Sequence, residues 1–134
     1  HYQQAAGLTT YYNRFKFHAL MLTNEPGIGR ALTILSCPGD FPHGALEHPT
    51  APVPVGPGPV ELRVAVDHAS QQFLWRQGGD WHAIGPALNA AVISDEGGRG
   101  EHGSFTGTFV GMAAFDTSGM GREATFGRFA YVPQ

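Results

Sequence analysis

Apolar and polar positions alternate with a period of two over much of the chain, which is the pattern of strands with one wet face. Over residues 60–67, Val60, Leu62, Val64 and Val66 share one parity, while Glu61, Arg63 and Asp67 share the other. Such a strand belongs in an antiparallel sheet. After a short His68-Ala69-Ser70 turn, residues 71–77 place Phe73 and Trp75 on one side, which predicts a hairpin. Gly78-Gly79-Asp80 turns the chain again before residues 81–84. The three segments together predict a three-stranded meander.

Two other segments are apolar on both faces. Residues 15–23 set Phe15, Phe17, Ala19 and Met21 against Leu20 and Leu22, with Lys16 and His18 at the wetter end. Residues 106–115 set Val110 and Met112 against Phe109, Ala113 and Phe115. Both are expected to be central strands of a sheet covered on both sides. Gly107 and Gly111 then mark bulging or the close approach of another backbone. Residues 32–36 and 126–132 complete the expected strands, and residues 87–93 have room only for a helical turn. Residues 37–59 hold seven of the ten prolines. Proline lacks an amide donor, so this stretch is expected to run over the surface as a loop or edge excursion within one domain.

Composition supports the all-β reading. The chain has 134 residues, 19 of them glycine and 10 proline, a mixture that favours short strands and turns over long helices. Its length suits one domain with a real core. Charged residues make up only 14%, below the ~25% usual for soluble domains, as expected where part of the surface is covered by another domain or subunit. A net charge of −3 with scattered Lys and Arg argues against a nucleic-acid partner. No apolar window is long enough to span a bilayer, so no membrane partner is expected. The single Cys37 fits a reducing compartment, for which the bacterial cytoplasm is the expectation. The start at His1, without Met, reads as a processed or excised segment.

Candidate chemistry is sparse. The seven histidines include no pair at helical i, i+4 spacing, and one cysteine makes no zinc pattern. Asp95-Glu96 and Glu101-His102 cluster in a glycine-rich segment, yet glycosidase carboxylates must face each other across a sugar at ~5–9.5 Å. A flexible loop holds that geometry poorly. Gly97-Gly98-Arg99-Gly100 lacks the following Lys-Ser/Thr of a phosphate loop. Trp75, Trp81, Tyr11 and Tyr12 offer either core or a sugar-stacking platform, and the core is the commoner place. Phe105 stands out because it follows the glycine-rich loop and begins a strand, a position from which an aromatic can be presented outward. No catalytic residue, metal ligand or cofactor is expected in the chain.

Several stretches, taken in order, resemble the C-terminal β-sandwich of β-xylosidases in glycoside hydrolase family 43. They are Gln3-Gln4-Ala5-Ala6-Gly7-Leu8 running into Tyr11-Tyr12-Asn13, then Phe17-His18, residues 32–37 and Ser94-Asp95-Glu96. Phe105-Thr106-Gly107-Thr108-Phe109-Val110-Gly111-Met112, Asp116-Thr117-Ser118-Gly119 and the closing Phe126, Phe129 and Tyr131 follow. The resemblance implies an antiparallel, concanavalin A-like jelly roll that follows a five-bladed β-propeller. In that family the propeller holds the catalytic acid, the base and the acid that tunes them, and works with inversion. No part of it is recognisable here. Family members also carry earlier sandwich strands, so residues 1–134 are expected to be a partial accessory sandwich lacking its first strands.

The resemblance further implies removal of xylose from the non-reducing ends of short xylo-oligosaccharides. A Phe from a loop of the family's sandwich helps close the sugar subsite. By position that substrate-binding role falls on Phe105, delivered by the loop of residues 95–104. The implied partners are the propeller of the same protein and the xylo-oligosaccharide, and an oligomer is expected. The alternative is a stand-alone, lectin-like carbohydrate-binding sandwich, which needs exposed and roughly coplanar aromatics.

Overall fold

The structure is a computed structural model that describes residues 4–39, 44–97 and 107–133. The strands among these residues are β1 (Gln4–Asn13), β2 (Lys16–Glu25), β3 (Gly29–Pro38), β4 (Val53–Pro54), β5 (Glu61–Asp67), β6 (Ser70–Arg76), β7 (His82–Asn89) and β8 (Phe109–Asp116). One sheet has the order β4-β3-β2-β1-β8, the other β5-β6-β7, and every pairing is antiparallel. The second sheet is the meander that the alternation predicts, with the two-residue turn of His68 and Ala69 between β5 and β6.

Strand parity decides where the core forms. The register sets Leu20 beside Ile34 and Leu22 beside Leu32. Phe73 and Ile84, paired across β6 and β7, close on them from the smaller sheet. Leu62, Val64, Trp75 and Leu88 pack around this cluster. Burial of each such side chain contributes about 1.5–3 kcal/mol. On the other face of β2, Ala19 and Met21 join Ala5, flanked by Phe17, Leu35 and Ala113. β2 is therefore covered on both sides, as its two-faced apolar pattern predicts.

Four expectations need correction. Residues 106–115 do not yield a central strand: β8 is an edge strand paired only with β1 among the described residues, and Phe109 is 59% exposed. Gly111 makes neither a bulge nor a close approach, since its pairing with Thr9 is regular and a Cβ there would meet nothing within 4 Å. Residues 126–132 form no strand; from 121 to 133 every residue is exposed, and no sheet edge takes up their amides. Residues 87–93 divide, β7 running to Asn89 before a single 3-10 turn over Ala90–Ile93. The proline-rich stretch behaves as an edge excursion, with Val53–Pro54 pairing at the rim of β3, where a missing amide donor is tolerated.

The Asp116-Thr117-Ser118-Gly119 motif is a turn. The Asp116 carboxylate accepts from the Ser118 amide (2.8 Å) and hydroxyl (2.5 Å), from the Gly121 amide (2.6 Å) and from Gln4 Nε2 (3.2 Å). These donors, the Ser118 hydroxyl first, hold its pKa far below the usual carboxylate range. The group ties the end of β8 to the start of β1.

Candidate functional site at the base of residues 98–106

Phe105 lies outside the described residues, as do Glu101 and His102, but both ends of that stretch are described. Asn89 caps the 3-10 turn, its Oδ1 accepting from the Ala91 amide at 2.9 Å. Ser94 ends the turn, and its hydroxyl donates to the Ala91 carbonyl at 2.7 Å. Gly97 then folds back: its amide donates to Ser94 Oγ at 3.2 Å, and a Cβ there would stand 2.2 Å from the Ala91 carbonyl oxygen. Only glycine fits. On the returning side the Gly107 amide donates to Asp95 Oδ1 at 3.2 Å, and the Thr108 hydroxyl donates to the Ile93 carbonyl. The chain thus leaves and returns at one place. Asp95 serves as a turn-closing acceptor, while Glu96 beside it is exposed. Among the described residues no group of three or more His, Cys, Asp or Glu could hold a metal ion.

Two β2 side chains reach this base, and both overturn a sequence expectation. Lys16 and His18 do not sit at a wet end; they are 4% and 2% exposed. Lys16 Nζ donates to the Gly97 carbonyl at 2.9 Å and lies 6.0 Å from the centre of the Tyr12 ring. His18 Nε2–H donates to the Asn89 carbonyl at 3.2 Å, and Nδ1 accepts from the Ser36 hydroxyl at 2.9 Å. One donor and one acceptor together require the neutral ring. Beside them the Thr10 hydroxyl donates to Gln71 Oε1 at 3.0 Å, while the buried Gln71 Nε2 has no partner. Backbone carbonyls and hydroxyls thus satisfy polar groups that the pattern reading assigned to solvent. Two polar residues inside a strand otherwise apolar on both faces was the available signal.

Burial pushes the His18 pKa below its usual 6.5, against the opposing pull of the Asn89 carbonyl and the Glu47 charge. A histidine with a depressed folded pKa stabilises fully above the unfolded value, and that contribution is lost as pH falls towards the folded one. The melting temperature is therefore expected to drop as pH falls below 6.5, and His18→Asn should flatten part of that slope. Melting curves of both proteins from about pH 7.5 to about pH 5 test this. Parallel slopes would remove His18 as the cause.

The two tryptophans do not make a platform. Trp75 faces inward and packs against the core, with the His82 ring 5.5 Å away. Trp81 lies with the opposite parity set of the small sheet, where the Arg76 and Arg63 guanidiniums stand 4.6 and 5.9 Å from its ring centre. Arg76 is held there by Glu61 through bonds of 3.0 and 2.8 Å, and this pairing draws the Glu61 pKa down.

Two facing antiparallel sheets whose chemistry is confined to a pinned loop base define a β-sandwich domain without a carboxylate pair among its described residues. Residues 1–132 match the model of the β-xylosidase C-terminal concanavalin A-like domain, and the chain belongs to that family. It is 41% identical to xylosidase/arabinosidase 43B of Humicola insolens, with 98% of this chain and 25% of that protein aligned. It is 37% identical to a β-xylosidase of Bacillus subtilis (strain 168), over 97% of this chain and 24% of that protein. The structure of a xylan β-1,4-xylosidase from Bacillus halodurans C-125 superposes with a TM-score of 0.79 at 29% identity, covering 88% of this chain and 22% of that one. The chain spans about a quarter of the length of the curated relatives it matches, and their catalytic domain lies outside it.

Proposed function

We propose that the chain is the accessory sandwich of an enzyme that removes xylose from the non-reducing ends of xylo-oligosaccharides. The catalytic groups stand on a β-propeller of the same protein, and Phe105 of this chain supplies an apolar wall of the sugar subsite. The observation that carries the reading is the near full-length match to domains of xylosidases, joined to the absence of a facing carboxylate pair among the described residues. An apolar ring at a subsite excludes water and orients the sugar without supplying a proton.

In the full-length enzyme, Phe105→Ala is expected to lower kcat/KM on xylobiose about tenfold, equivalent to ~1.4 kcal/mol of lost contact, with an unchanged melting temperature. Equal losses of stability and activity would place Phe105 in the core instead. Hydrolysis of an aryl xyloside by this chain alone, abolished by changing Asp95 or Glu96, would overturn the division of labour. The lectin-like alternative is disfavoured by the opposed faces of Trp75 and Trp81 and by the guanidiniums over Trp81.

A further inference from the structure

Lys16 is placed at a cost. An ammonium 4% exposed is ordinarily matched by a carboxylate, because burying an unpaired charge is unfavourable. No carboxylate lies within ion-pair distance of it among the described residues. Its one hydrogen-bond acceptor is the carbonyl of Gly97, 81 positions away in sequence.

The stem is as constrained as the head. Gly39, with a φ of +85°, lies so close over it that a Cβ would come within 2.6 Å of Lys16 Cε and 2.7 Å of Cγ. Gly39 thus leaves the room that the stem occupies, and the Tyr12 ring flanks the ammonium. On the receiving side Gly97 is wedged against the 3-10 turn, so its carbonyl direction is fixed by the Ser94 and Ala91 contacts. A buried cation, a glycine roof and a glycine wedge converge on a single peptide group. That group is the last described one before residues 98–106.

We propose that Lys16 is a positioning residue for substrate binding: by holding the Gly97 carbonyl it sets the point from which residues 98–106 depart, and hence where Phe105 is placed. This rests on the subsite role given to Phe105 above. Asp95 sets the return point through the Gly107 amide. Lys16 touches no substrate and acts through the peptide it holds.

The test is a double-mutant cycle in the full-length enzyme with xylobiose, read together with limited proteolysis. Lys16→Met keeps a stem and removes the donor. It is expected to lower kcat/KM about fivefold, chiefly through KM, when Phe105 is present, and less than twofold in the Phe105→Ala background. Equal factors in the two backgrounds would overturn the proposal, because a merely structural Lys16 acts whether or not Phe105 is there. Trypsin cleavage after Arg99 should also quicken severalfold in Lys16→Met relative to cleavage elsewhere, and an unchanged rate would equally overturn it. If Phe105→Ala alone leaves kcat/KM untouched, the subsite reading fails, while the cleavage rate still decides whether Lys16 holds the stretch. Should Lys16→Met not fold, Gly97→Ala attacks the same peptide from its exposed side and is held to the same two readouts.

Discussion

Replacing Phe73 by alanine is expected to cost about 3–5 kcal/mol, the range for a fully buried phenylalanine. Phe73 is 0% exposed and lies on β6, the middle strand of the small sheet, between Val64 of β5 and Ile84 of β7. It faces Leu20, Leu32 and Ile34 of the large sheet, so one ring contacts the strands of both layers. The smaller sheet has only three strands, and this cluster is what holds it to the larger one. Loss of 3–5 kcal/mol is a large share of the ~5–15 kcal/mol that stabilises a typical domain. Amide exchange of peptides spanning residues 61–89 is the direct measurement, with a hundredfold or greater acceleration expected at ~1.4 kcal/mol per factor of ten. Phe126→Ala, at a side chain 40% exposed and outside any strand, is expected to stay within about 0.5 kcal/mol. Comparable effects at the two positions would mean that the inter-sheet core has been misplaced.

Phe73 was legible because its strand alternates. Over β5 and β6 the inward parity carries Leu62, Val64, Phe73 and Trp75, and burial of one face makes period two visible. The same rule also separates Trp75 from Trp81 onto opposite faces once the register is known. β2 was readable for another reason, since layers on both sides make both parities apolar. The same argument misled at β8, where Phe109, Val110, Met112 and Phe115 are all at least 38% exposed. Apolar composition there reports a need for cover, and pattern alone does not say that cover lies within this chain. Residues 126–132 failed likewise: alternation gives a strand something to bury but not an edge to pair with.

The loop base was the least readable part of the site. Its acceptors are the backbone carbonyls of Asn89, Ile93 and Gly97, which look identical in every sequence. Lys16 and His18 meet these carbonyls only after β2 has been threaded between the sheets. The glycine-rich run beginning at Gly97 was visible as a loop, but Gly97's need to clear the Ala91 carbonyl was not.

Gly7 gives the strongest contrast between composition and geometry. Its partners are Met21 on β2 and Ala113 on β8, in the middle of the large sheet. A Cβ added there would fall 2.0 Å from the Leu20 carbonyl oxygen and 2.9 Å from both Leu20 C and Met21 Cα. These obstacles are backbone and cannot swing aside as a side chain tip would. Gly7→Ala therefore has to push β1 off β2, weakening the ladder from Ala6 to Asn13 and the Thr23 hydroxyl bond to the Gln4 carbonyl. β8 moves with it, because β1 is its only strand partner among the described residues. The expected cost is about 3 kcal/mol, the upper end for forced overpacking, with faster amide exchange in β1 and β8 and little change in β5–β7. Gly111, one row away on β8, is the internal control. Its Cβ would meet open space at an ordinary φ, so Gly111→Ala should be neutral or stabilising by up to about 1 kcal/mol. Two glycines of one sheet, indistinguishable by residue type, are thus expected to respond with opposite sign. An unchanged melting temperature in Gly7→Ala would show that β1 and β2 do not approach as closely as this register requires.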